Sequence, residues 1–221
     1  MPKFNSAIAL LLAVLLTACG STPGPVIEPE AADTASTTAT TGADTQLSAT
    51  DETTDDGAEA APVDPAQLAY QAAVEALRNG DAEAALSELQ RLSETVPTMP
   101  RLYTNLGLAH FRLEQFDAAE LAFREAVLRD DDDAVAHNHI GILERRKGQF
   151  QQALQAYQRA IEIDVKYARA HLNLGILFDL YLQDLEKALA QYRVYQTLTN
   201  EQDKQVAGWI VDIERRLKSD S

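Results

Sequence analysis

The chain has 221 residues, 46% of them hydrophobic, with a formal net charge of −15 and a single cysteine. An acidic surface repels nucleic acid, so that class of partner is set aside. One cysteine allows neither an internal disulfide nor a Cys-based metal site, so whatever folds must stand on packing alone.

The first predicted element is a leader. Lys3 is followed by the apolar run Ala7 to Leu16 (AIALLLAVLL), which ends in Leu16-Thr17-Ala18-Cys19. A membrane-spanning helix needs roughly 17–25 apolar residues, and this run falls short. It has the length of a secretory core instead. The four-residue ending resembles a bacterial lipobox, which implies cleavage after residue 18 and acylation of the Cys19 thiol. Gly20 and Ser21 follow, with no Asp at the inner-membrane retention position. By the usual Gram-negative sorting pattern this implies the outer membrane, facing the periplasm, with membrane contact through the lipid.

Residues 19–65 are expected to be a disordered tether. From 20 to 65 there are ten acidic residues and no Lys or Arg, in a background of Thr, Ala and Pro such as Thr34-Ala35-Ser36-Thr37-Thr38. Such a composition cannot bury enough apolar surface to offset chain entropy. A flexible chain of that length spans roughly 35–40 Å root-mean-square. Residues 66–221 hold 18 basic and 24 acidic residues.

From Ala66 the texture changes to Ala, Leu, Glu and Arg at helical spacing, with a period of 34. Gly107, Gly141 and Gly175 are each preceded by a branched aliphatic residue; Tyr103, His137 and His171 stand upstream at one offset. Ala85, Ala119 and Ala153 repeat likewise, as do Leu89, Phe123 and Tyr157, and Leu92, Ala126 and Ala160. This pattern resembles the tetratricopeptide repeat (TPR) family. The resemblance implies an all-α solenoid of helix-turn-helix units at 66–99, 100–133, 134–167 and 168–199. The first unit carries Ala72-Ala73 where Leu-Gly is expected, and the last has one extra residue in its turn, so Ala188 and Tyr192 fall one place late.

The recurrent glycines are expected where paired helices approach closely, with Ala119 and Ala153 opposite them. Phe116, Ala119, Leu121, Phe123, Ala126 and Val127 read as a buried stripe. Gly80 and Gly148 fall in the turns between helices, where a left-handed conformation suits glycine. Asp130 to Asp133 reads as a solvated junction with Asp133 capping the next helix, not a calcium loop. Residues 200–221 fit no fifth repeat. Val206, Trp209, Ile210, Ile213 and Leu217 make one stripe, as expected of an end-capping helix.

No cofactor or metal is expected. Repeat register puts His137, His171 and His110 in core slots and only His139 toward the inner groove, without a His-Glu-x-x-His spacing. No nucleophile elbow or phosphate loop is present, so the chain does not read as an enzyme. The expected activity is binding of a protein or peptide in the concave groove. The TPR resemblance implies Asn and basic residues there to grip peptide backbone and carboxylates. Asn105 and Asn173 match that pattern, and His139 stands in the equivalent position. Arg101, Arg169 and Arg145 supply positive charge. Oligomeric state is left open.

The C-terminal stretches from Ala170 to Leu182, Tyr192 to Gln196 and Trp209 to Arg216 resemble TPR proteins assigned to TonB-type energy-transduction systems. That resemblance implies an accessory adaptor. Assembly factors for pili, secretins or outer-membrane proteins, and regulators that tether murein enzymes, are the open alternatives.

Overall fold

The computed structural model describes residues 64–219, so the leader, Cys19 and the acidic segment to residue 63 lie outside the described residues. Among the described residues the secondary structure is helical, with no strand. Four helix pairs follow one another: α1 (Pro65–Arg78) with α2 (Ala82–Thr95), α3 (Leu102–Arg112) with α4 (Phe116–Arg129), α5 (Ala134–Arg146) with α6 (Phe150–Ile163), and α7 (Ala168–Ile176) with α8 (Leu185–Leu198). A final helix, α9 (Lys204–Ser219), packs on α8. Each expected unit holds one helix pair, α1 beginning one residue early at Pro65, and the architecture is the expected TPR-type solenoid.

Local chemistry sets the helix starts. Asp64 accepts from the Ala66 amide at 3.0 Å, with Pro65 at the first helical position. Asp81, Asp133 and Asp184 accept from the amides three residues on, at 3.1, 2.9 and 3.1 Å. Each carboxylate satisfies a donor that the helix leaves unpaired and sits against the positive end of its dipole. Asp133 caps α5 as expected but is only 2% exposed, because the Thr104 hydroxyl of α3 also donates to it. Asp133 is a pin between repeats, while Asp130 to Asp132 are exposed, as expected of a solvated junction.

The turns inside the pairs share one left-handed residue. Gly80 and Gly148 have φ of 85° and 76°, while Glu114 and Gln183 hold the same place at 57° and 55°. The extra residue of the fourth unit is absorbed before its turn. α7 runs directly into a π-helical turn over Leu177–Leu182, and the Asp184 amide reaches back to the Phe178 carbonyl at 3.0 Å. Widening one turn accommodates an inserted residue without displacing the next helix.

The glycines serve ring packing. A methyl group on Gly107 would stand 2.7 Å from the Phe123 ring, and one on Gly141 or Gly175 would stand 2.6 Å from the rings of Tyr157 and Tyr192. The partner of each glycine is therefore the aromatic residue, not Ala119 or Ala153 as the sequence suggested. Both alanines are fully buried. In the first unit Leu89 replaces the ring and Ala73 replaces the glycine, and both are fully buried. At the far end Val206 and Ile213 of α9 are 1% exposed, and Trp209 lies 5.4 Å from the Tyr192 ring, closing the last repeat. Leu121, expected in the buried stripe of α4, is instead 72% exposed.

Candidate functional site: the inner helix layer

α1, α3, α5 and α7 touch one another in series, so they line the inner side of the stack, while α2, α4, α6 and α8 form the outer layer. The two layers differ in charge. The inner helices and the π turn carry five Arg against Glu75, Glu144 and Asp179, and Arg101 stands just before α3. The outer helices carry eight acidic residues against six basic ones. In a chain of net −15, the inner layer carries a positive excess, as does α9 with Lys204, Arg215, Arg216 and Lys218 against Asp212 and Glu214.

Several residues expected to meet a ligand hold the layer together instead. Asn105 is 1% exposed and donates through Nδ2 to the Tyr70 hydroxyl of α1 at 2.7 Å, while its Oδ1 is buried without a partner. Burial pushes the Tyr70 phenol above its ordinary pKa. Asn173 donates to Asn138 Oδ1 at 2.9 Å, tying α7 to α5. Neighbouring inner helices lie close enough for these short amides to span them. They are spacers first; Asn173 is half-buried, whereas Asn105 and Asn138 are each 1% exposed.

His139 also departs from expectation. It is 6% exposed, stacked on Phe123 with centroids 4.9 Å apart and set edge-on to Phe111 at 5.4 Å; its Nδ1 lies 2.8 Å from the Val135 carbonyl oxygen. The two rings draw the imidazole into the core, so it does not point into the groove. His171 is likewise buried, between Gln191 Oε1 and the Val165 carbonyl. Among the described residues no three His, Cys, Asp or Glu side chains are disposed to hold a metal ion.

The arginines remain as the accessible chemistry. Arg101 is exposed and caps α3 in a left-handed conformation (φ 56°) without a side-chain cap bond. It lines an open cavity of about 480 Å³ together with Tyr103, Thr104, Arg129 and Asp130. Arg129 lies over the Tyr103 ring, 4.2 Å from its centroid. Arg169 is half-buried near the start of α7. Arg145 is half-buried too, 5.8 Å above the Tyr181 ring, with its Nε buried and unpaired. Nearby, burial lifts the Tyr157 phenol to about 12. Such a surface can take carboxylates along an extended chain, with aromatic faces between the forks.

Sequence reasoning missed Tyr70, Asn138 and Tyr181. The first two belong to a 34-residue column, Tyr70-Thr104-Asn138, one place before the Asn105-His139-Asn173 column. That offset was available as a signal. Tyr181 is positioned by the π turn and had none.

Comparison with known proteins agrees with this geometry. A family model described as "Tetratricopeptide repeat" matches residues 70–136, and one described as "TPR repeat" matches 141–180. No sequence among the curated proteins matches the chain. Among solved structures, PilF of Pseudomonas aeruginosa is 20% identical with a TM-score of 0.61, covering 70% of this chain and 69% of its own. MamA (41-end) of Desulfovibrio magneticus RS-1 is 22% identical with a TM-score of 0.58, covering 69% and 85%. TTC0263, a thermophilic TPR protein of Thermus thermophilus, is 21% identical with a TM-score of 0.57, covering 69% and 82%. At these identities the likeness is one of fold.

Proposed function

We propose that this chain, a tetratricopeptide-repeat protein, is an interaction adaptor moored to the outer membrane of a Gram-negative bacterium through an acyl group on Cys19. Residues 20–63 are its tether, and the inner helix layer receives an acidic, extended segment of a partner protein in the periplasm. The observation that carries the reading is the charge layering of the solenoid. The inner helices and the π turn carry five Arg against three acidic residues, with Arg101 just before α3, while the outer helices are net negative. Arg101, Arg145 and Arg169 grip carboxylates, and Asn173 is the amide left to meet peptide backbone. Asn105 and His139 act behind them as supports.

The finer reading is an accessory role in a TonB-type energy-transduction system, supported by the resemblance of the C-terminal stretches. Crosslinking the lipidated chain in intact envelopes and identifying what is captured tests it. Recovery of TonB-system proteins is the expected result. Recovery only of murein enzymes, or only of pilus and secretin components, overturns the TonB assignment and leaves the adaptor reading standing. Replacing Cys19 by Ala should release a folded, soluble protein. A Cys19→Ala chain that stays membrane-bound through a high-salt wash contradicts the lipid anchor.

A further inference from the structure

The outer layer carries one irregularity that inner-face binding does not use. Leu121 and Leu128 of α4 are 72% and 80% exposed, two turns apart on one line of the helix. Isolated exposed leucines are ordinary. Here the repeat register provides an internal control. The corresponding outward places hold Ser87 and Glu94 in α2, Gln155 and Glu162 in α6, and, allowing for the inserted residue, Ala190 and Thr197 in α8. Three repeats keep both places free of large apolar side chains, and the second fills both with leucine.

Arg124 and Glu125 flank this line. At 3.6 residues per turn they lie about 50° to either side of it, midway between the leucines. Arg124 is held by Glu120 of its own helix at 2.9 Å and by Glu144 of α5 at 2.6 Å, and Glu125 pairs with Arg129 at 2.8 Å. Both charged side chains remain well exposed, at 51% and 39%. The face is thus apolar along its centre, with the Arg124 guanidinium exposed on one side and the Glu125 carboxylate on the other, each also ion-paired within its own chain.

Such a face is complementary to itself in one orientation. If two copies pack α4 against α4 in parallel about a two-fold axis along the helices, opposite sides meet. Leu121 then lies on the partner's Leu121, Leu128 on the partner's Leu128, and Arg124 faces the partner's Glu125 at nearly the same height. Antiparallel packing instead sets each charge beside its own kind, which costs free energy. We propose that this chain self-associates through a parallel α4–α4 contact centred on Leu121 and Leu128. A rotation about an axis along α4 keeps both copies of Asp64 at one height. Two leucines and one cross-pair per copy make a small interface, of the weak and reversible class.

Sedimentation velocity on the full chain carrying Cys19→Ala, across a concentration series, tests association. Adding Leu121→Glu and Leu128→Glu places like charges at the contact. These residues are exposed, so the thermal melt should hold while self-association weakens by at least about tenfold. Orientation is read by oxidation of single-cysteine chains. Leu121→Cys alone and Leu128→Cys alone should each form disulfide dimers. Dimers that form only when the two variants are mixed indicate antiparallel packing and overturn the proposed contact. A chain that remains monomeric throughout the series, or association that survives the double Glu variant, overturns it as well.

Discussion

Gly107 lies directly beneath the ring of Phe123, so close that a methyl group in place of its hydrogen would stand 2.7 Å from the ring carbons. Glycine in a helix interior costs about 1 kcal/mol against alanine, so Gly107→Ala would stabilise an isolated helix. In this fold it should destabilise by about 1–3 kcal/mol, since the fully buried ring has no room to retreat. Phe123→Leu should recover part of the loss in the double variant, because Ala73 and Leu89 already form that combination in the first repeat. Chemical denaturation of the two single variants and the double variant measures the coupling. Gly208→Ala serves as the control: nothing lies within 4 Å of the added methyl, and it should stabilise by up to about 1 kcal/mol.

Glu114 holds a left-handed turn conformation (φ 57°) at the place where Gly80 and Gly148 stand in neighbouring repeats. A side chain there costs about 1–2 kcal/mol, offset in part by the greater unfolded-state freedom of glycine. Glu114→Gly should therefore raise the melting temperature by a few degrees. An unchanged or lowered melting temperature would contradict a strained turn.

The amide of Asn105 reaches Tyr70 across two inner helices, so the pair should behave as a unit. Asn105→Ala and Tyr70→Phe should each destabilise, and a double-mutant cycle should return a coupling of about 0.5–1.5 kcal/mol. Arg101→Ala, at an exposed site, should leave the melt within about 0.5 kcal/mol while weakening partner binding. The two variants separate a structural amide from a ligand-facing charge.

Lys147 donates to Glu120, and Arg124 adds a second contact at 2.9 Å, which together hold the Glu120 carboxyl below its ordinary pKa. A depressed pKa in the folded state gives stability that is present above the unfolded value, near 4.3, and lost as pH falls through the folded one. Glu120→Gln should cost about 0.5–1 kcal/mol at neutral pH, and the difference should shrink as pH falls below about 4.3, the unfolded value. Urea titrations of both chains at neutral pH and below that value check this.

The 34-residue period made the helix pairs readable from the chain, because they rest on residues that recur in register, and the stripe of α9 was readable from its helical spacing alone. The groove was less readable. Register assigns Asn105 and His139 to the inner face, but their burial depends on how closely adjacent inner helices approach and on rings supplied by Phe111 and Phe123. The π turn was visible only as an extra residue. Whether an insertion lengthens a loop or widens a helix depends on what the next turn can bury, and here Leu177 and Phe178 are buried. Leu121 shows the limit of periodicity, since its spacing suits a buried stripe and only the packing of α4 leaves it outside.

On the proposed function, the inner helix layer receives the partner. A photo-crosslinking amino acid placed at Arg101, and separately at the exposed outer residue Gln155, tests it in intact envelopes. A discrete adduct is expected from position 101 and none from position 155. An adduct from 155 alone, or none from 101 while the native chain still captures a partner, would contradict it.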